Sequence, residues 1–114
     1  MKAKQIAIAC HNAHNVLCKH NDMKVTPWEE KSKEHRKIVE NSVKKILKGK
    51  IGSPEEAHDN FVAKKEAEGW SYGVRYSEKL KTNQRLCAWD ELAAVDRQFE
   101  EMFFAVANSF NKNS

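Results

Sequence analysis

The sequence predicts a single, mostly α-helical domain of four helices, spanning residues 1–114. A length of 114 residues is that of one domain. Apolar residues recur every three or four positions in separate stretches, which is the spacing of one buried helix face. Between the third and fourth helices this period is lost, so we expect a short extended or hairpin insertion there.

The first two helices are predicted from such stripes and from the residues that interrupt them. The first is expected from about Lys2 to His20 and is broken at Asn21-Asp22. Thr26-Pro27-Trp28-Glu29 combines a cap residue, a proline and a glutamate, which predicts a short helical turn. The second helix carries the stripe from Ile38 to Leu47 and ends at Gly49.

The last two helices have equally clear signals. Ser53-Pro54-Glu55-Glu56 is a second cap signal, and it opens a helix that Gly69 ends. Apolar residues repeat at helical spacing from Leu92 to Phe110, which predicts the fourth helix. The polar tail at 111–114 is expected to fray.

The fourth helix is apolar on nearly every side, and Phe104 is left over from its main stripe. A helix of this kind is usually buried all round. We therefore expect a symmetric homodimer in which this last helix takes part.

Composition narrows the class of partner. Lys and Arg exceed Asp and Glu by 20 to 16, for a net charge of +4, which favours an anionic partner. Acidic residues are interleaved with the basic ones, which argues against a dedicated nucleic-acid binder. Three cysteines without a signal peptide, and no apolar run long enough to cross a bilayer, predict a cytoplasmic protein that does not bind membranes.

The insertion from Trp70 to Trp89 places aromatic rings beside cations. Rings can stack on a nucleobase, and arginine can fork a phosphate, so this composition suits a small nucleotide-like anion or an acidic protein surface. Trp70 and Trp89 can equally be core anchors that pin the loop to the helices. The candidate ligand-binding residues are Trp70, Tyr72, Arg75, Lys81, Arg85, Trp89 and Asp90.

Residues 67–92 resemble the signature of the ryanodine-receptor repeat (RyR) domain. The resemblance consists of a Gly-Trp-x-Tyr-Gly turn, a charged stretch with a lysine, and an aromatic-Asp-x-Leu step into the last helix. The matching positions are Gly69, Trp70, Tyr72, Gly73, Lys81, Leu86, Trp89, Asp90 and Leu92. Weaker upstream matches to the single-domain bacterial and phage members extend it from about Ile6 to Phe110.

This resemblance implies a four-helix, non-enzymatic binding module in the cytoplasm, which would be the host cytoplasm if a phage encodes it. The chain departs from the family where prolines usually flank the strand before the last helix. It has Asn83-Gln84 and Ala88-Trp89 at those positions, so the conformation there is open.

Other potentially reactive residues are assigned structural roles. His11, His14 and Cys18 share one helical face at spacings that can ligate a metal, but no second cluster completes a site, so we expect no metal and no cofactor. No nucleophile has an evident base, so we expect no catalysis. His58 is assigned only surface or capping hydrogen bonds, and the lysines at 44–50 a solvated helix end.

The leading hypothesis is therefore a non-enzymatic module that senses or sequesters a small anionic, nucleotide-like ligand. The alternatives are a protein–protein interaction module and a small nucleic-acid-associated protein.

Overall fold

A computed structural model describes residues 1–111, and in this part of the chain it contains four α-helices and one pair of short strands. The helices are α1 (Ala3–His20), α2 (Lys33–Leu47), α3 (Pro54–Ala67) and α4 (Ala94–Asn108), and the strands are β1 (Ser71–Tyr72) and β2 (Thr82–Asn83). Short 3-10 helices at Trp28–Glu30 and Trp89–Glu91 precede α2 and α4. The predicted mostly α class with four helices is confirmed. The predicted fraying concerns the tail at 111–114, of which residues 112–114 lie outside the described part of the chain.

Helix boundaries follow from caps and glycines. The hydroxyl of Ser53 accepts a hydrogen bond from the Glu56 backbone N–H at 3.1 Å, as the cap signal predicted. Ser32 caps α2 in the same way. Gly49 and Gly69 follow α2 and α3 with φ of +75° and +90°, a region that favours glycine and ends a helix.

The core lies where α1, α2 and α4 meet, and α4 packs against all three other helices. The fully or nearly buried core residues are Ile6, Ala7, Cys10, Trp28, Val43, Ile46, Ile51 and Ala107. By contrast, α3 has one buried residue, His58, and it joins the rest mainly through α4 and the 3-10 helix at Trp89–Glu91.

The central place of α4 explains why its apolar residues cover so much of its surface. Phe103 and Phe104 are half-buried and both pack against the core. Phe104 therefore has partners within the chain while part of its ring stays exposed, and its place off the main stripe does not by itself require a second subunit. The homodimer itself stays a prediction.

The insertion between α3 and α4 contains the short extended pairing that was predicted. β1 and β2 run parallel, with Ser71 opposite Thr82 and Tyr72 opposite Asn83. Ser77 and Thr82 form an antiparallel bridge that closes a tight turn. A Cβ placed on Gly73 would lie only 2.6 Å from the Cβ of Thr82, so the two segments touch because position 73 has no side chain.

Candidate functional site

A cleft of about 400 Å³ opens between α2 and α3, with α4 as its floor. This volume falls in the range of small-molecule sites. The cleft exists because α3 is held to α4 and buries little of its own surface, which leaves the space between α2 and α3 unfilled. Its lining residues are His14, Ile38, Asn41, Ser42, Lys45, Ile46, Ile51, Ala57, Asn60, Phe61, Lys64, Arg85, Phe99, Glu100, Phe103 and Phe104.

Four phenylalanines give the cleft a flat, apolar surface. Phe99, Phe103 and Phe104 come from α4, and Phe61 comes from α3. All four are only partly buried, so the cleft has ring surface that the protein itself does not cover. Partly covered rings of this kind can receive a planar group by stacking or edge contact.

The α2 and α3 walls have the same order of side-chain types. Each carries an apolar residue, an asparagine three positions later and a lysine seven positions later, which places all of them on one helical face. The wall residues are Ile38, Asn41 and Lys45 on α2, and Ala57, Asn60 and Lys64 on α3. Both lysines are exposed, so an ammonium group can reach the cleft from either side.

Arg85 supplies a third cation. Its Nη2 lies 2.7 Å from Oε1 of Glu100, and its guanidinium carbon lies 4.9 Å from the centre of the Phe61 ring. Arg85 and Glu100 do not form a bidentate pair, because Arg85 Nε has no hydrogen-bond partner among the described residues. Its side chain is 36% exposed, so the cation is held at the boundary between protein and solvent.

A buried histidine contacts Glu100, the acidic partner of Arg85, on its protein side. His58 is fully buried, and its Nε2 lies 2.8 Å from the Cys87 carbonyl oxygen, to which it can donate. Its Nδ1 lies 3.2 Å from Oε2 of Glu100. The ring therefore ties α3 to both α4 and the segment before it, and the expectation that His58 would be a surface or capping residue is wrong.

His14 reaches the cleft from α1, with its ring 4.6 Å from that of Phe99. Burial is the main cause that lowers the pKa of His14 below its usual 6.5, and nearby positive groups add to the effect. Those groups are His11, Lys31, Arg85 and His35. His14 is therefore neutral near pH 7 and adds no charge to the cleft.

The seven sequence-predicted site residues do not line one cavity. Of them, Arg85 lines the cleft, whereas Tyr72 lines a second depression of about 490 Å³ beside Glu91 and Asp96. The carboxylates of that second depression repel an anion, so its larger volume does not make it the better site for one. The other five residues line neither.

Both tryptophans of the insertion make structural contacts. The Trp70 ring lies 5.7 Å from that of Tyr76, with Lys65 Nζ 5.5 Å above it. The half-buried Trp89 ring lies 5.9 Å from His58. These contacts favour the alternative that the two rings anchor the loop.

The remaining predicted residues lie apart from the cleft. Lys81 Nζ donates to the Glu68 carbonyl oxygen at 3.1 Å and so bridges the insertion to the end of α3. Arg75 and Asp90 are exposed. Tyr72 is also largely exposed, at 57%.

The histidine and cysteine face of α1 is occupied by protein contacts. His11 is buried and its Nε2 lies 2.6 Å from the Thr26 carbonyl oxygen. Burial raises the pKa of the Cys10 thiol to about 11, so the thiol is protonated and unreactive at neutral pH. Within residues 1–111, no group of three or more His, Cys, Asp or Glu side chains is placed to hold a metal ion.

Comparisons with protein-family models, with curated proteins and with solved structures give no significant match for this chain. Among the described residues, none of the helices combines the length and apolar character that a membrane span requires.

Proposed function

We propose that the protein is a non-enzymatic binding module that holds a small anionic, nucleotide-like ligand in the cleft between α2, α3 and α4. The observation that carries this proposal is the combination of four partly uncovered phenylalanine rings with three cations at one cleft. Apolar surface with a few convergent polar groups is the usual composition of a small-molecule site.

Each part of such a ligand has a counterpart in the lining. A planar ring would lie against Phe61 and Phe99, and its anionic group would meet Lys45, Lys64 and Arg85. The side-chain amides of the walls offer both donors and acceptors to the edge of the ring. The cleft's lining contains one carboxylate, and the ion pair with Arg85 already engages it, which favours binding over turnover.

We also infer that the module is of the RyR type and acts in the cytoplasm. The support is the signature segment at 67–92 together with the order of four helices and a short paired insertion. The proposed ligand site differs from the one that the composition of the insertion predicted, because only Arg85 of the insertion reaches the cleft.

The test is a thermal-shift and calorimetric screen against nucleotides, with variants that alter only the exposed cations. A ligand that binds the folded state raises the melting temperature by mass action. We expect one class of nucleotide to give a dose-dependent shift. Lys45→Ala combined with Lys64→Ala should weaken its binding by roughly tenfold, taking about 0.7 kcal/mol for each partly exposed ion contact.

The matched control is Lys44→Ala combined with Lys48→Ala. These two lysines are exposed in the same region of the chain but do not line the cleft. The control removes the same net charge and should leave the affinity almost unchanged. Equal losses in the two double variants would show a general charge effect, and no binding by any nucleotide to the folded protein would end the proposal.

A second candidate function, recognition of an acidic protein surface, is favoured by the tip of the insertion. Val74 and Leu80 are 81% and 72% exposed, and the cations Arg75 and Lys79 lie beside them. Exposed apolar residues within a cationic surface are typical of an interaction site. Val74→Ser with Leu80→Ser should abolish capture of an acidic partner yet leave ligand binding in the cleft intact; retained capture would contradict this candidate.

A further inference from the structure

We infer that the cleft selects a ligand with a single phosphate monoester close to a flat ring, as in a nucleoside monophosphate, over a polyphosphate. This inference rests on the proposed function and adds the charge and number of the ligand's phosphates. It follows from the net charge of the lining, from the presence of only one carboxylate in it, and from the volume of the cleft.

The lining carries a net charge that matches one phosphate monoester. Lys45, Lys64 and Arg85 contribute three positive charges, and Glu100 offsets one of them, which leaves two. His14 contributes no charge near neutral pH, because its pKa lies below the usual 6.5. A phosphate monoester carries about −1.5 to −2 at pH 7, so the two charges nearly cancel.

Glu100 also disfavours a longer phosphate chain. Its carboxylate lies within the lining and only 2.7 Å from the guanidinium that a phosphate would approach. Each additional phosphate group would bring further negative charge toward this carboxylate with no further cation in the lining to meet it. A ligand with one phosphate can instead meet a cation of the lining on the side away from Glu100.

The lining is also poor in ligands for a divalent cation. Polyphosphates are usually recognised with Mg²⁺, which a protein binds through one or two carboxylates together with the phosphate oxygens. Glu100 is the cleft's one carboxylate, and Arg85 and His58 already contact it. Charge that Mg²⁺ would otherwise neutralise therefore stays on the ligand.

The volume agrees with one ring and one phosphate. About 400 Å³ lies toward the lower end of the range for small-molecule sites, which suits a ligand of mononucleotide size. The four phenylalanines come from α4 and the middle of α3, and Lys45 and Lys64 come from the two helical walls on either side. A ring bound against the phenylalanines therefore lies in the same cleft as the cations.

The experiment is isothermal titration of the intact protein with adenosine, AMP, ADP, ATP, inorganic phosphate and phenyl phosphate, with and without Mg²⁺. We expect AMP to bind about fivefold to tenfold more tightly than ATP, which corresponds to about 1–1.4 kcal/mol in total for the unmatched charge of the two further phosphates. Adenosine and inorganic phosphate should each bind more weakly than AMP, since each lacks one half of the recognised group. The other three nucleoside monophosphates and phenyl phosphate distinguish a nucleotide from another phosphorylated ring.

Glu100→Gln is the variant that isolates the charge argument. It removes the one negative charge of the lining while keeping a side chain of nearly the same shape, and it should shift the preference toward ADP and ATP by about tenfold. Circular dichroism and the melting temperature check that this variant folds. If it does not, Lys64→Ala provides the opposite change, because it should weaken AMP more than it weakens a singly charged cyclic nucleotide.

The outcomes separate this inference from the proposed function. ATP binding as tightly as AMP, or Mg²⁺ strengthening ATP until it exceeds AMP, overturns the monoester inference while the binding function stands. No binding by any compound overturns both. Phenyl phosphate binding as tightly as AMP supports the monoester and shows that the ring need not be a nucleobase.

Discussion

His58 is the residue on which the geometry of the cleft most depends. It is the one fully buried side chain of α3, and it contacts both the Cys87 carbonyl and Glu100. His58→Ala removes the hydrogen bond to the Cys87 carbonyl and the contact with Glu100 and opens a cavity, so we expect the free energy of unfolding to fall by roughly 2–4 kcal/mol. Urea denaturation measures this change.

His20→Ala is the matched control for that prediction, because His20 is exposed at the end of α1. A surface change of this kind usually alters stability by less than about 0.5 kcal/mol. His58→Gln, which keeps a donor near the Nε2 position, should cost less than His58→Ala. Equal stabilities of His58→Ala and His20→Ala would contradict a structural role for the buried ring.

At the residue scale, the sequence indicated which residue types could bind a ligand but not where their side chains lie. Arg85 was one of the predicted ligand-binding residues. Its side chain lies in the cleft between the helices and not in the insertion to which it belongs. His58 could not be recognised, because a histidine within a polar helix gives no periodic signal of burial. Its partner Glu100 lies 42 residues away, so the contact depends on packing that one sequence does not reveal.

At the scale of elements, the insertion holds its shape through a close approach of two segments at Gly73. A Cβ at this position meets Thr82 Cβ at 2.6 Å, closer than packed carbon atoms can lie. Gly73→Ala must push β1 away from β2, and overpacking of this kind costs about 1–3 kcal/mol. Thermal unfolding followed by tryptophan fluorescence reports it, because Trp70 directly precedes β1.

Gly52→Ala provides the comparison for Gly73→Ala. Its added Cβ would meet only Glu56 Oε2 at 3.7 Å, which is ordinary contact, so little loss of stability is expected. If Gly73→Ala were as stable as Gly52→Ala, the strand pairing would not depend on this contact.

The helices themselves followed from local rules, and the cleft did not. Caps, glycine ends and the three-and-four spacing act within a few residues, so they located all four helices from the sequence. The similar faces of α2 and α3 were visible as sequence patterns too, with asparagine and lysine at the same spacing. Nothing local indicates that these faces lie opposite each other, since this depends on how both helices pack against α4.

At the scale of the whole molecule, two histidines on different helices, His14 and His35, have pKa values below the usual 6.5. Burial is the first cause for both, and nearby positive groups that include Lys31 and His11 add to it. Both rings therefore take up a proton less readily in the folded protein than in the unfolded chain. This difference links the protonation of the two rings to stability.

This link predicts how stability depends on pH. The unfolded chain takes up protons on His14 and His35 near pH 6.5, whereas the folded protein takes them up only at lower pH. Their contribution to stability is therefore complete above about pH 6.5 and is lost as the pH falls below it. Urea denaturation at about pH 7.5 and about pH 5.5 should show a smaller free energy of unfolding at the acidic value.

Replacing both histidines assigns the effect. His14→Asn with His35→Asn should reduce the difference between the two pH values, even if the ring contact with Phe99 is lost and stability falls at both. His20→Asn removes an exposed histidine and should retain the full difference. A pH dependence as large in the double variant as in the original protein would mean that groups other than these two rings cause it.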